Sequence, residues 1–314
     1  MIGRVVCPLG CSSHVNLIEH IRTSDLARLY TASLKIDISP EFMGIDEIGY
    51  YHCPDSDLRF FFPSVEGSAA FYGQLRKFDW YYLQDKPEYE YANRYIRSSD
   101  WVLDIGCGEG AFARKIGTQR YVGLETSQAA IAEGVKKGIN IINESVQQHC
   151  QGNAGRYDVV CAFQVLEHVS DARTFISSAV NCIRPGGLLV LSVPSQDSFA
   201  RFVSNYYLDM PPHHVTRWTD RALHNIARVF LLTVEEIWHE PLQIHHSRLY
   251  AQTIAANTLR SFLRHRFSSV DPSLMNKLIT HVAGFLGNLH VRGWTESDSP
   301  PRGISVTGIF RRLG

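Results

Sequence analysis

The sequence has no excess of charge of either sign. Its 31 lysine and arginine residues equal its 31 aspartate and glutamate residues, which gives a formal net charge of +0. A protein that holds a nucleic-acid backbone or an anionic membrane usually presents a basic field. The balance of charge therefore predicts neither a nucleic-acid partner nor a membrane partner.

Long apolar runs are also absent. No apolar segment approaches the roughly 20 residues of a membrane-spanning helix. The start Met1–Val6 lacks the long apolar region of a secretory signal. These features predict a cytoplasmic protein. The seven cysteines, an odd number between Cys7 and Cys182, favour reduced thiols over a disulfide framework.

Residues 1–65 lack the strand and helix alternation of the later sequence, and we expect a small zinc-ribbon-like subdomain there. The region contains three of the four ligands that a zinc ribbon needs, namely Cys7, Cys11 and Cys53. The usual spacing would place the fourth ligand at Ser56, which is a poor one. We therefore expect no bound metal, with His14 and His52 as the alternative source of a ligand.

Residues 66–100 are rich in aromatic side chains, too densely placed for a solvated loop. Pro87 suits the first turn of a helix that runs toward Ile96. We expect this segment to connect the small subdomain to the large one and to serve as a lid. Its aromatics either pack the two parts together or line the ligand site. The candidates for ligand contact are Tyr81, Tyr82 and Lys86.

The stretch 101–110 organises the rest of the sequence. A short apolar run is followed by three glycines at alternate positions and then by a helical pattern over 110–117. This order is typical of a strand, a tight turn and a helix start in a parallel sheet. Glycine tolerates positive φ and has no Cβ, so the backbone of the turn can approach a ligand closely. The three glycines are Gly106, Gly108 and Gly110.

From residue 101 onward, strands alternate with helices, which predicts an α/β domain over 101–314 with a doubly wound, mostly parallel sheet of seven strands. The predicted strands are 101–105, 120–125, 139–142, 157–163, 188–193, 232–238 and 303–310. Beyond 110–117, helices are predicted after Thr126 or Ser127 to about 137, after Asp171, and at 219–231, with a sharp turn at Arg184–Gly187.

A mostly helical pattern at about 245–290 separates the last two predicted strands. We expect it to form a helical insertion before the last strand. Its periodicity is compatible with two roles. The insert is either a lid over the substrate or an oligomer contact that joins two copies in a homodimer.

Glu125 stands at the end of the second predicted strand, nineteen positions after Gly106. A carboxylate there can accept hydrogen bonds from both hydroxyls of a ribose and would repel a 2′-phosphate. The loop reads Gly-x-Gly-x-Gly, which differs from the Gly-x-Gly-x-x-Gly of dinucleotide sites. We therefore expect an adenosyl ligand whose other end is an amino acid, with its ammonium drawn to Asp104 and its carboxylate to backbone N–H groups.

Four segments resemble, in order and spacing, the motifs of class I S-adenosylmethionine-dependent methyltransferases: Val102–Gly110, Val122–Ser127, Tyr157–His168 and Ile183–Pro194. More narrowly, the chain resembles bacterial members with a zinc-ribbon-like N-terminal piece and a Pro-Pro-His-His segment, often associated with glycan or secondary-metabolite pathways. The resemblance implies a Rossmann-like methyltransferase sheet and S-adenosylmethionine as the methyl donor. The missing fourth cysteine departs from the metal-bearing members.

The resemblance also implies which residues bind the donor. The three loop glycines would hold the methionine part, Asp104 would lie near its ammonium, and Glu125 would hold the ribose. Glu144 and Ser145 are the contacts implied for the adenine. Phe163 and Gln164 are those implied for the sulfonium.

Methyl transfer from a sulfonium is an in-line displacement, so the protein chiefly aligns a nucleophile and removes its proton. We predict His213 or His214 as the base or a substrate contact, because histidine ordinarily titrates near neutrality. The alternative is that these histidines brace the loop, the role that we also assign to His168. The aromatic candidates for acceptor contact in the same segment are Tyr206 and Tyr207.

The predicted reaction is methyl transfer from S-adenosylmethionine to a small molecule, sugar or secondary metabolite, at oxygen with a histidine base. Two alternatives stay open: an NAD-linked oxidoreductase, and a non-catalytic module that binds S-adenosylmethionine. The loop spacing and Pro-Gly-Gly at 185–187 count against the first, and the unbroken donor motifs against the second. An Asn-Pro-Pro-Tyr type motif for an extruded base is absent, which disfavours a nucleic-acid methyltransferase.

Overall fold

The protein is described here by a computed structural model that covers residues 4–81, 83–291 and 301–314. The strands are β1 Asn16–Arg22, β2 Glu47–His52, β3 Arg59–Phe62, β4 Val102–Ile105, β5 Tyr121–Leu124, β6 Ile141–Ile142, β7 Tyr157–Phe163, β8 Ile183–Pro194, β9 Thr216–Arg217, β10 Leu232–Pro241 and β11 Arg302–Arg312. The helices are α1 Thr23–Leu34, α2 Ala69–Leu75, α3 Pro87–Asn93, α4 Gln128–Lys136, α5 Val146–His149, α6 Ala172–Cys182, α7 Asp220–Phe230, α8 Ser247–Leu263 and α9 Leu274–Val291.

The large sheet has seven strands in the order β10-β11-β8-β7-β4-β5-β6. The strands from β8 to β6 are parallel, and β11 runs antiparallel between β8 and β10. This is the doubly wound, mostly parallel α/β sheet that the sequence predicts. The strand order reverses between β4 and β7, and the crevice at the carboxyl ends of two such strands is where ligands bind in open α/β sheets.

One local prediction is wrong for a reason of backbone geometry. The helix expected over 110–117 is a single 3-10 turn at Phe112–Arg114, since Gly110 is left-handed at φ 76° and begins no helix. The sharp turn expected at Arg184–Gly187 falls within the bounds of β8, where Gly186 is left-handed at φ 76°. There the pairing with β7 jumps from Ile183 opposite Tyr157 to Leu188 opposite Val159, so the extra residues form an irregularity in the strand.

The N-terminal region forms its own sheet, in the order β1-β2-β3-β9. Its fourth strand comes from far along the chain, with Phe60 of β3 opposite Thr216 of β9. Phe60 also belongs to a hydrophobic cluster that includes Leu223 and Ile226 of α7. The region therefore shares a core with the large sheet. The boundary proposed at residue 65 stays a prediction.

The helical insertion before the last strand is present as the pair α8 and α9. Ile279 and Ala283 of α9 are buried in a small cluster with Ala256 of α8. Much of the outer surface of the pair is apolar, since Phe262 is 84% and Phe285 65% exposed. Across the described residues, no helix combines the length and hydropathy needed to cross a bilayer.

We predict that Phe60→Ala lowers the free energy of unfolding of the whole chain by about 3 to 5 kcal/mol, the usual cost of deleting a buried aromatic ring. Because Phe60 lies in a cluster that both sheets share, circular dichroism and tryptophan fluorescence should report one shifted urea transition. Leu17→Ala, at a side chain that is 44% exposed, should change stability by no more than about 0.5 kcal/mol. Two separate transitions in Phe60→Ala would contradict a shared core.

Candidate active site

The glycine loop follows β4 at the crevice. Gly106, Gly108 and Gly110 have φ values of 68°, 56° and 76°, a region that residues with a Cβ avoid. Gly106 is exposed, and a Cβ built on it would lie 2.5 Å from Cγ2 of Val165, in the loop after β7. The three glycines thus allow the loop to run close to the neighbouring strand while its backbone faces the crevice.

Glu125 lies directly after β5, beside this loop. Its Oε2 accepts a hydrogen bond from the Gly108 N–H at 3.0 Å, and its Oε1 accepts from the N–H groups of Thr126 and Ser127 at 2.7 and 2.8 Å. These bonds fix the carboxylate at the mouth of the crevice, where it is half-buried. Carboxylate oxygens have further lone pairs to offer a ribose. The loop and Glu125 therefore fit an adenosyl ligand.

Asp104, the third residue of β4, is buried beneath the loop. Tyr121 donates its hydroxyl hydrogen to Oδ2 at 2.8 Å, and the Cys161 thiol lies 3.7 Å from Oδ1. Burial raises the pKa of Asp104 to about 7, although the hydrogen bond from Tyr121 opposes the shift. The charge of this carboxyl group is therefore sensitive to pH near neutrality.

The remaining predicted donor contacts lie around the same edge. Glu144 bonds to Nδ1 of His149 at 2.9 Å, and Ser145 forms the capping box of α5 with Gln148. The Phe163 ring packs against Phe112 with ring centroids 4.6 Å apart. These positions put Glu144 and Ser145 after β6, and Phe163 at the end of β7, as the sequence predicts. Their contacts with the donor stay predictions.

Gln164 has an unusual backbone for a residue with a side chain, with φ at 57°. Its Nε2 lies 3.3 Å from acceptors on three elements, Glu88 of α3, Ser192 of β8 and Ser305 of β11. Left-handed residues other than glycine persist where the surroundings hold them, often at functional sites. Gln164 thus forms the turn by which the chain leaves the end of β7.

Three histidines come together after this turn. His213 and His214 are buried, with their rings stacked at 4.4 Å, and His168 meets them edge-on at 4.7 and 4.8 Å. We call this group the histidine cluster. Burial lowers the pKa of His168 to about 4 and holds the pKa of His213 and His214 well below the usual range. All three imidazoles are therefore neutral at pH 7.

The Nδ1 atom of each ring has a fixed partner. In His168, Nδ1 faces the carbonyl oxygen of His213 at 2.6 Å. In His213, it faces the carbonyl oxygen of Leu208 at 2.8 Å, and in His214 it faces Oδ1 of Asp209 at 3.2 Å. A carbonyl or carboxylate oxygen can only accept, so each neutral ring carries its hydrogen on Nδ1. The Nε2 atoms of the cluster consequently hold the lone pairs.

Glu167 lies against the histidine cluster and is 1% exposed. Its Oε1 is 3.9 Å from Nε2 of His168 and 4.0 Å from Nε2 of His214. Burial raises the pKa of Glu167 to about 8. The half-buried Lys86 lies close enough to lower the pKa of both Glu167 and Asp104. Both carboxyl groups therefore lie within electrostatic range of Lys86.

The aromatic candidates fall into two groups. Tyr81 lies beside the cluster, with its ring 5.8 Å from that of His213. Tyr207 packs edge-on against Tyr30 at 5.7 Å, and Tyr206 is partly buried in the same segment. Tyr82 lies outside the described residues. Contact of these tyrosines with an acceptor stays a prediction.

The cysteines of the N-terminal region do converge. Cys11 Sγ lies 3.5 Å from Cys7 Sγ and 3.9 Å from Cys53 Sγ, and Ser56 Oγ lies 3.3 Å from Cys7 Sγ. Ser56 thus lies beside the thiols, and the zinc-ribbon-like character of the region stays a prediction. Burial raises the pKa of the Cys7 thiol to about 12. The expectation that this region holds no metal stays a prediction.

A family model described as a methyltransferase domain matches residues 76–237, just over half of the chain. The chain belongs to the class I S-adenosylmethionine-dependent methyltransferases. The matched residues include β4 to β9, the glycine loop and the histidine cluster. The family's methyl donor is S-adenosylmethionine, and the geometry of the loop and Glu125 fits it.

Curated relatives agree with this family. The ubiquinone biosynthesis O-methyltransferase of Serratia proteamaculans is 32% identical over 123 residues, which are 35% of this chain and 51% of that protein. Its counterpart in Erwinia tasmaniensis is 28% identical over 135 residues, 40% of this chain and 54% of that protein. The chain thus spans about half the length of the curated relatives it matches.

Among solved structures, the methyltransferase is similar to a SAM-dependent methyltransferase from Archaeoglobus fulgidus, with 16% identity and a TM-score of 0.46 over 72% of this chain and 93% of that one. It is also similar to the YcgJ protein from Bacillus subtilis, with 14% identity and a TM-score of 0.47 over 72% and 98% of the two chains.

Sequence reasoning missed the residues that hold the histidine cluster together. Asp209 orients His214, and Arg217 in turn lies 3.0 Å from Asp209 Oδ2. Tyr72 lies 3.2 Å from Nδ1 of His168. Asp209 could have been predicted from its position, because an acidic residue four or five positions before a histidine can reach its ring. Tyr72 carries no comparable signal, because the fold alone brings it to His168.

We predict that Asp104→Asn changes how the stability of the methyltransferase depends on pH. The folded pKa of Asp104 is about 7 and its ordinary value is 3.8. Its contribution to stability is therefore fully present below pH 3.8 and is lost as the pH rises through 7, at about 1.4 kcal/mol per pH unit. The side-chain amide of asparagine cannot ionise, so the variant should lack this loss.

Urea unfolding between pH 5 and pH 8 measures the effect as a difference in slope between variant and native protein. Burial also raises the pKa of Glu240 to about 7, and that contribution cancels in the difference. Asp79→Asn is the control, because Asp79 is exposed. Equal slopes for Asp104→Asn and the native chain would show that Asp104 is ionised throughout this range.

Proposed function

We propose that the chain transfers the methyl group of S-adenosylmethionine to a hydroxyl oxygen of a small-molecule acceptor, such as a sugar or a secondary metabolite, and that His213 or His214 takes the proton. The observation that carries this proposal is the histidine cluster beside the donor crevice. Its imidazoles are neutral, and their lone pairs lie on Nε2.

The donor would bind across the glycine loop. S-adenosylmethionine supplies an electrophilic methyl group on its sulfonium. Gly106, Gly108 and Gly110 would approach its methionine part, and Glu125 would accept hydrogen bonds from its ribose. Asp104 lies below this loop, where its charge would attract the ammonium group. Glu144 and Ser145 after β6 would lie at the adenine, and Phe163 and Gln164 at the sulfonium.

His213 is the stronger candidate for the base. Its Nδ1 donates to the Leu208 carbonyl, which fixes the tautomer. Its Nε2 is buried and has no hydrogen-bond partner among the described residues. Burial holds its pKa below the near-neutral range that the sequence argument assumes, so the ring is in its accepting form at pH 7 but is a weaker base than an exposed histidine. A hydroxyl that reached Nε2 could therefore pass its proton there as the oxygen attacks the methyl group.

Oxygen as the acceptor atom is supported by two features. The relatives with the matching segment are named O-methyltransferases. A hydroxyl group must lose a proton during methylation, and the cluster offers an accepting nitrogen.

We extend the proposal to the acceptor contacts Tyr81, Tyr206 and Tyr207. We likewise retain the cytoplasmic location, and a homodimer through α8 and α9 that would cover Phe262 and Phe285.

The family assignment sets aside the NAD-linked oxidoreductase. The second alternative, a module that binds S-adenosylmethionine without catalysis, predicts donor binding without turnover. Formation of S-adenosylhomocysteine in the presence of hydroxylated acceptors separates it from the proposed enzyme.

We predict that Glu125→Ala weakens S-adenosylmethionine binding by at least about 10-fold, because each hydrogen bond to a charged group contributes about 1.5 to 3 kcal/mol. Gly106→Ala should weaken binding as well, since its φ is strained for alanine and its Cβ would meet Val165. Calorimetric titration measures both. Glu133→Gln on α4, whose side chain is 42% exposed, is the control; unchanged affinity in Glu125→Ala would refute the ribose contact.

We predict that His213→Ala lowers kcat by about 100-fold to 10,000-fold, the usual contribution of a general base. Affinity for S-adenosylmethionine should stay within a few-fold of the native value. S-adenosylhomocysteine release with a panel of hydroxylated acceptors gives the rate, and His214→Ala tests the second candidate. His224→Asn, an exposed histidine on α7, is the control. Native turnover in both cluster variants would remove the proposed base.

A further inference from the structure

The three histidines and Glu167 have the composition and arrangement of a metal site. One ligand atom from each of His168, His213 and His214 lies within 4.8 Å of the other two. Glu167 Oε1 approaches two of these rings at 3.9 and 4.0 Å. We propose that His168, His213, His214 and Glu167 together bind one divalent transition-metal ion.

The hydrogen bonds of the rings support this proposal. Histidines that bind a metal through one nitrogen almost always donate the other N–H to a carbonyl or a carboxylate, which fixes the ring. Here two Nδ1 atoms face the carbonyls of His213 and Leu208, and the third faces Asp209. All three rings therefore leave Nε2 as the nitrogen that is free to bind a metal.

Unsatisfied polar atoms point to the same place. Both carboxylate oxygens of Glu167 and Nε2 of His213 are buried and lack a hydrogen-bond partner within the described residues. Buried polar atoms are nearly always paired, and each exception needs an explanation such as an ion or a water molecule. A cation would satisfy a carboxylate and an imidazole lone pair at once. Glu167 Oε1 lies 3.9 and 4.0 Å from Nε2 of His168 and of His214, which is too far for a hydrogen bond.

The distances between the candidate ligand atoms are slightly longer than those of a loaded metal site. Metal–nitrogen bonds of about 2.0 to 2.1 Å place neighbouring ligand atoms of a tetrahedral site about 3.4 Å apart. The histidine ligand atoms lie within 4.8 Å of one another, and Glu167 Oε1 lies 3.9 Å from Nε2 of His168. These separations would close by at most about 1.4 Å on loading. His168, whose side chain is 19% exposed, gives the cluster a route to solvent.

The ligand set selects the class of ion. Imidazole-rich sites favour Zn²⁺, Fe²⁺, Co²⁺ or Ni²⁺, whereas Mg²⁺ and Ca²⁺ prefer oxygen ligands. Three neutral imidazoles and one carboxylate would leave a divalent ion with a net charge of +1. The nearby Lys86 opposes this charge. Asp209, which is hydrogen-bonded to His214, offsets it in part and is itself paired with Arg217.

The metal site and the proposed base use the same nitrogen of His213, but each can be tested without the other. A metal-bound Nε2 cannot accept a proton, so the base and the ion belong to two states of the same cluster. Metal content and spectra test the ion without any acceptor, whereas S-adenosylhomocysteine formation by chelator-treated protein tests the base. Failure of one proposal is therefore separable from failure of the other.

The test uses the full chain treated with chelator and then titrated with Co²⁺. We expect visible d–d absorption with about one equivalent bound at the cluster, and a decrease in Co²⁺ affinity of at least about 10-fold in His213→Asn, Glu167→Gln and His168→Asn. His168→Asn changes the least buried ligand, so it keeps the test valid if the other variants misfold. Thermal unfolding confirms that each variant is folded.

Cys53→Ser is the matched control, because the three thiols of Cys7, Cys11 and Cys53 are the other candidate ligand group among the described residues. Thiolate ligands would add an intense near-ultraviolet charge-transfer band that imidazole ligands lack. Cobalt bands that persist in Cys53→Ser and weaken in folded His168→Asn would support the proposal. Absence of bound Co²⁺, or loss only in Cys53→Ser, would overturn it.

Discussion

The buried ion pair between Asp209 and Arg217 connects the parts of the molecule that make the site. Arg217 Nε lies 3.0 Å from Asp209 Oδ2, and its guanidinium group stacks over Tyr50 and Phe61 of the small sheet. Asp209 in turn accepts from Gln196 and orients His214. Removing one partner would leave an uncompensated buried charge, which costs about 3 to 5 kcal/mol. The position of the histidine cluster therefore depends on the small sheet.

Two buried carboxyl groups in the site differ in their hydrogen-bond partners. Burial raises the pKa of both Asp104 and Glu167. Asp104 receives hydrogen bonds from Tyr121 and Cys161, so its oxygens are satisfied within the fold. The oxygens of Glu167 have no such partner among the described residues. Both groups are therefore desolvated, but of the two only Glu167 lacks a hydrogen-bond partner among the described residues.

Sequence patterns locate the glycine loop and Glu125 more readily than the histidine cluster, because the cluster joins residues that are far apart along the chain. The glycine loop and Glu125 are ends of adjacent strands, so local patterns reveal them. The histidine cluster joins His168 to residues 45 positions later, and it depends on the pairing of β9 with β3. The wrong helix at 110–117 has a local cause, since the left-handed Gly110 outweighs the apolar periodicity.

The segment 66–100 and the helical insert make different contacts around the cluster. Phe71, Tyr72 and Tyr81 all lie near the His213 ring, with centroids 5.8 to 6.2 Å away. In the helical insert, the Ser269 N–H donates to Glu19 of the small sheet. Aromatic rings of the segment 66–100 therefore border the cluster directly. Flat, partly apolar surfaces pack favourably against such rings, so under the proposed function an acceptor that reached His213 would pack against this segment.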